Sequence, residues 1–133
     1  MFCLRFALSL HSYLSCARGA SVKTAVGMKH LTNIKDIEQA LADNRLCLFF
    51  IKAPDCGVCD VMLDRVGRLA NNYPSMFSFF TDIREEPLIA GRFLVFSGPT
   101  VLLMMNGKEV YRGSGFINME ELEKVMVGVL SLN

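Results

Sequence analysis

Apolar and polar positions alternate along this chain in two rhythms, one of strands and one of helices. Leu46-Cys47-Leu48-Phe49-Phe50-Ile51 and Met76-Phe77-Ser78-Phe79-Phe80-Thr81 are short, nearly continuous apolar runs, the pattern of strands buried on both faces. Around them, apolar residues recur at helical spacing. Ile34, Ile37 and Leu41 mark a helix capped by Asn33, with Asp36 in its first turn. Cys59, Met62, Leu63, Val66, Leu69, Ala70 and Tyr73 mark a second, starting near Cys56 and ended by Asn71-Asn72-Tyr73-Pro74. Glu85-Glu86-Pro87 opens a short third helix through Phe93, with proline at the first helical position and acids at the positive end of the dipole. A last helix starts at Asn118, with Glu121 completing a capping box, and turns Leu122, Val125, Met126, Val129 and Leu130 inward.

Between the third and last helices lie Thr100-Val101-Leu102-Leu103-Met104-Met105, Asn106-Gly107 and Lys108-Glu109-Val110-Tyr111-Arg112. Asn-Gly tolerates the positive φ angles of a type I′ turn, so the flanking runs pair as an antiparallel hairpin. From Met28 onward the order reads βαβα then ββα, an α/β fold with a central mixed sheet and helices on both faces.

With 133 residues, of which 52% are hydrophobic, there is enough apolar material for one sizeable core. The 14 basic and 13 acidic residues give a formal charge of +1, and no basic patch points to nucleic acid. Residues 1–27 hold Arg5, Arg18 and Lys23 and no acid, which leaves the remainder mildly acidic. The domain division is therefore an N-terminal extension, 1–27, and a body, 28–133. Three explanations of the extension compete: a targeting peptide, a disordered tail, or sequence upstream of a true start at Met28. A cytoplasmic location is expected if Met28 is the start, and a secreted or organellar one if the extension is a signal. Cys3 and Cys16, in this segment, receive no role. No run approaches ~18 uninterrupted apolar residues, so no membrane association is expected.

Cys56-Gly57-Val58-Cys59 carries the chemistry. Two cysteines three apart, between a strand and a helix, form a dithiol that can close into a disulfide. Cys59 begins the helical apolar stripe and should face the core, while Cys56 should sit exposed at the helix start, where unpaired N–H groups and the dipole favour a thiolate. Cys56 is thus the candidate nucleophile and Cys59 the resolving thiol. A structural cysteine pair or half of a zinc site are the alternatives. Zinc sites commonly use four ligands, and here there is no second pair and the histidines are only His11 and His30.

Residues 28–133 resemble a thioredoxin-family domain. The resemblance rests on Cys56-Gly57-Val58-Cys59 after the strand, Gly98-Pro99-Thr100 before the hairpin, Asn106-Gly107 at its turn, and Gly115 after its last strand. It implies a thioredoxin fold and a monomeric thiol–disulfide oxidoreductase, with Pro99 as the family's cis-proline. Gly98, Pro99 and Gly115 would then shape a shallow groove for protein disulfide substrates. No metal or bound organic cofactor is implied; electrons would come from a separate reductase or a small thiol. A thioredoxin-fold binding or adaptor module without turnover, or an exported disulfide oxidant or isomerase, are the alternative readings.

The chain departs from that family at several positions. Asp55 and Val58 stand where the pattern has Trp and Pro, and Gly98 replaces a larger side chain. Asp55 would cap the helix start while its charge opposes a thiolate at Cys56, an effect Lys52 offsets if it lies close; a solvated surface pair is the alternative for both. Phe50, six residues before Cys56, occupies the place of the family's buried aspartate and cannot accept a proton. Cys47, in the same strand, reads as a small core residue.

Overall fold

The computed structural model describes residues 27–132; Cys3, Cys16 and the rest of the extension before Gly27 lie outside them. Each expected element is present. Strand β1 (Lys29–His30) precedes helix α1 (Ile34–Asp43), strand β2 (Leu46–Lys52), helix α2 (Cys59–Asn71), strand β3 (Phe77–Asp82) and helix α3 (Leu88–Phe93). The hairpin strands β4 (Thr100–Met105) and β5 (Lys108–Ser114) and helix α4 (Met119–Leu130) complete the fold. The two-residue β1, too short to show any period, is the one strand the apolar pattern did not mark.

The five strands form one sheet in the order β1-β3-β2-β4-β5. β1 and β2 run parallel to β3, whereas β4 is antiparallel to both β2 and β5. β2 lies at the centre, and Leu46 through Ile51 are all buried. Its alternate residues divide the core in two. Leu46, Leu48 and Phe50 join Val101 and Leu103 beneath Met62, Leu63 and Val66 of α2 and Leu122, Met126 and Val129 of α4. Cys47, Phe49 and Ile51 join Leu102 and Met104 beneath Ile37, Ala40 and Leu41 of α1 and Ile89 and Phe93 of α3. The period of two along a strand thus delivers each neighbour to its own helical layer.

Local chemistry sets the boundaries. The Asn33 side chain accepts the Asp36 N–H at 2.9 Å, and that of Asn118 accepts Glu120 N–H at 3.0 Å and Glu121 N–H at 3.2 Å. Asn106 and Gly107 take φ of 52° and 77°, the two positive values a type I′ turn requires. α2 differs from expectation in starting at Cys59 instead of near Cys56. Residues 54–58 form successive turns, with Asp55 left-handed at φ 53°, and an ordinary helix cannot pass through that conformation.

Candidate dithiol site

β2 leaves the sheet after Lys52, and seven residues later the chain re-enters regular structure as α2. Cys56 and Cys59 lie at that junction and are joined as a disulfide, their Cα atoms 5.3 Å apart. The Cys56 carbonyl accepts the Cys59 N–H at 3.3 Å, and the Val58 carbonyl accepts that of Met62 at 2.9 Å, so the turn holding the thiols runs directly into the helix. Cys59 shares the buried face of α2 with Met62, Leu63, Val66 and Ala70 and is 1% exposed, whereas Cys56 is half-buried. Cys56 therefore lies before the first helical residue, not within the first turn.

The charges around the dithiol are arranged differently from expectation. Asp55 does not cap α2: Val58 holds the cap position without a side-chain bond, because the left-handed turn leaves Asp55 outward and exposed. Nor does Lys52 pair with Asp55. Its Nζ lies 2.9 Å from Oδ1 of Asp60, the residue after Cys59. At the end of β3, Arg84 grips Asp82 through Nε and Nη2 at 2.7–3.2 Å, and its N–H also donates to that carboxylate. The guanidinium bonds hold the nearly buried Asp82 carboxyl below its ordinary range against the opposing effect of burial.

Thr100 opposes Ile51 across β2 and β4 and Ser114 across β4 and β5. Gly98-Pro99, Gly115 and the dithiol segment consequently all emerge at the same end of the sheet. The Gly115 N–H donates to the Pro99 carbonyl at 2.9 Å and ties the two loops together. Pro99 is not cis: the described residues contain no cis peptide bond. The reversal expected of a cis bond is made by Gly98 at φ 58°, a conformation a glycine adopts without steric cost. A Cβ placed on Gly98 would meet Gly115 backbone atoms at 3.8 Å, so the absence of both side chains leaves this surface open. Phe96 and Phe116, 76% and 80% exposed, stand beside these glycines in sequence; an isolated aromatic in a loop gave no periodic signal to mark them.

Arg112 of β5 was also silent in the sequence. Its Nη2 donates to the Phe93 carbonyl at 2.6 Å and its Nη1 to the Leu94 carbonyl at 3.0 Å, while Glu109 holds the same guanidinium at 2.7 Å. This fork anchors the end of α3 where Leu94 turns left-handed at φ 54°, four residues before Gly98.

Beneath the dithiol, Phe50 is fully buried in the α2-side core. Cys47, on the opposite face, donates weakly to the Ala40 carbonyl at 3.6 Å, and burial pushes its thiol up to about 11. Among the described residues, no three His, Cys, Asp or Glu side chains converge as a metal site, and no helix is long and apolar enough to cross a membrane.

The Thioredoxin family model matches residues 28–127. The chain belongs to the thioredoxin family. It is similar to the thioredoxin-like protein YdfQ of Bacillus subtilis, 28% identical over 105 residues that cover 79% of this chain and 94% of that one. Among solved thioredoxins, the oxidised mitochondrial thioredoxin 3 of Saccharomyces cerevisiae superposes with a TM-score of 0.68 at 27% identity, covering 76% of this chain and 94% of the other. The thioredoxin of Trypanosoma brucei brucei superposes with a TM-score of 0.71 over 84% of this chain and 99% of its own, at 15% identity, a likeness of fold alone. Family and fold together support a thiol–disulfide oxidoreductase in general, on a thioredoxin fold whose mixed sheet and two helical layers match the expected architecture.

Proposed function

We propose that the protein reduces disulfides of other proteins, with Cys56 as the attacking thiol, Cys59 as the resolving thiol, and Gly98, Pro99 and Gly115 forming the surface on which the substrate chain lies. The observation that carries this reading is the unequal burial of two cysteines close enough to be bonded. In the reduced form the Cys56 thiolate attacks one sulfur of the substrate disulfide; a mixed disulfide forms, and the other substrate sulfur leaves as a thiolate and takes up a proton. Cys59 then loses its proton and attacks Cys56 Sγ, closing the intramolecular disulfide and releasing the second substrate sulfur. Two electrons pass to the substrate, whose two thiols take one proton released by Cys59 and one from water. A reductase or a small thiol returns two electrons and restores the dithiol. With Phe50 apolar, the Cys59 proton goes to water or to the departing thiolate.

Trapping tests the reading. Reduced Cys59→Ser, unable to resolve, accumulates mixed disulfides with proteins carrying exposed disulfides, visible by non-reducing electrophoresis and absent from Cys56→Ser. Accumulation on Cys56→Ser instead would exchange the two roles. A wild-type protein that binds such proteins but leaves their disulfides intact would favour a binding module.

A further inference from the structure

Lys52 stands at the boundary between the sheet and the dithiol. Side chains two apart on a strand share a face, so Lys52 lies on the side of β2 that carries Leu46, Leu48 and Phe50, one pleat beyond Phe50 toward the thiols. Its side chain is only 22% exposed, and Asp60, in the first turn of α2, draws its ammonium to 2.9 Å. In sequence the ion pair brackets the segment 53–59, which carries both cysteines. A family position expected to be acidic, Phe50, is apolar, and the adjacent position on the same face is cationic.

The sign of the field at the thiols follows from solvent access. Asp60 is 84% exposed, so water screens its charge, whereas the Lys52 side chain is only 22% exposed and is screened less. Asp82, which faces Lys52 across the β2–β3 pairing, is held by its own ion pair with Arg84. Asp55, on the dithiol loop, is exposed and opposes a thiolate weakly. Within the Lys52–Asp60 pair the cation is the less exposed and so the less screened charge.

We propose that Lys52 is a positioning residue for the dithiol, its ammonium, fixed across the Cys56–Cys59 turn by Asp60, stabilising the thiolate that appears when the disulfide is reduced. The inference rests on the reading of the dithiol above and adds a charge to it. A field of this sign raises the thiolate fraction at neutral pH and favours the reduced form of the pair. It assists the attacking step, where the family's buried acid assists the resolving one.

The test is the pH profile of Cys56 alkylation by iodoacetamide in the reduced full-length protein, read by mass spectrometry and independent of any substrate. Removing the cation in Lys52→Met should move the midpoint up by roughly one pH unit, and removing its counter-charge in Asp60→Asn should move it down by a smaller amount. Lys52→Arg should restore most of the wild-type profile. Opposite shifts in the two variants are what an electrostatic role demands, since loss of a structural clasp would move both the same way. A midpoint unmoved in folded Lys52→Met, or moved in the same direction by both variants, overturns the proposal. Lys52→Gln, which removes the cation and keeps a polar side chain, repeats the test if Lys52→Met does not fold. Wild-type disulfide reduction with unmoved profiles defeats this inference alone, whereas opposite shifts in a protein that reduces no disulfide uphold it and defeat the functional reading.

Discussion

Phe50 and Phe80 stand opposite each other in the parallel pairing of β2 and β3, both buried, and the Phe80 ring stacks on His30 at 4.5 Å. The α2-side layer around Phe50 is therefore apolar, and the cation one pleat beyond it, Lys52, is already paired with Asp60.

Phe50→Asp is expected to destabilise the protein, by about 3–5 kcal/mol for the lost aromatic packing and by more for any charge that forms there. Burial raises the new acid's pKa, so the penalty should grow as pH rises above the ordinary carboxylate range and should be least in acid. If resolution is limited by the missing base, release of the mixed disulfide at neutral pH should nevertheless accelerate. Denaturant unfolding across pH and single-turnover release measure the two effects, and an unchanged release rate in a folded variant would show that proton removal from Cys59 is not limiting.

Gly98→Ala places a side chain at φ 58° and against Gly115. A left-handed non-glycine residue costs roughly 1–2 kcal/mol, which should appear as a lower melting temperature. The added methyl group also narrows the open surface, so reduction of a protein disulfide should slow more than reduction of a small aromatic disulfide. Equal slowing of both substrates would remove Gly98 from the substrate surface.

The Asp82–Arg84 pair should govern part of the acid stability. Asp82 has its carboxyl lowered by Arg84 in the folded protein, so it contributes stability above its unfolded value and loses it as pH falls through the lower folded one. Arg84→Met should raise the pH midpoint of acid unfolding and lower stability at neutral pH, because it leaves the nearly buried Asp82 carboxylate without its partner. Circular dichroism followed during acid titration reads both; an unmoved acid midpoint would show that the pair is energetically silent.

Cys47 should be an internal clock for unfolding. With its thiol raised to about 11 and no exposed surface, it should resist alkylation at pH 8 while the protein is native and react at the rate of a free thiol in denaturant. Rapid native labelling of Cys47 would show that the α1 layer opens locally.

The strands and helices were readable in advance because their signals are local: β2 is a continuous apolar run, Asn106-Gly107 names its own turn, and Asn33 and Asn118 cap helices within three residues of themselves. Cys56 and Cys59 were readable for the same reason. The features that escaped depend on contacts distant in sequence or on backbone angles without a composition signal. β1 exists only because β3 offers it an edge, and Arg112 finds its carbonyl partners 18 and 19 residues away. The Lys52–Asp60 pair was not legible, because it depends on the left-handed backbone at Asp55, which leaves that residue exposed. The expected cis bond at Pro99 failed likewise, since the freedom of Gly98 next to it supplied the reversal.

The burial of Cys59 reaches beyond its own reactivity. With Cys59 at 1% exposure and Cys56 half-buried, the proposed cycle would admit every reagent through Cys56, whether it brings electrons or removes them. Under the proposed function, donor and acceptor would then compete for a single doorway and never occupy the protein together. Turnover would be obliged to alternate in time, a double-displacement cycle in which an excess of either partner, held at that doorway in its unproductive form, slows the other.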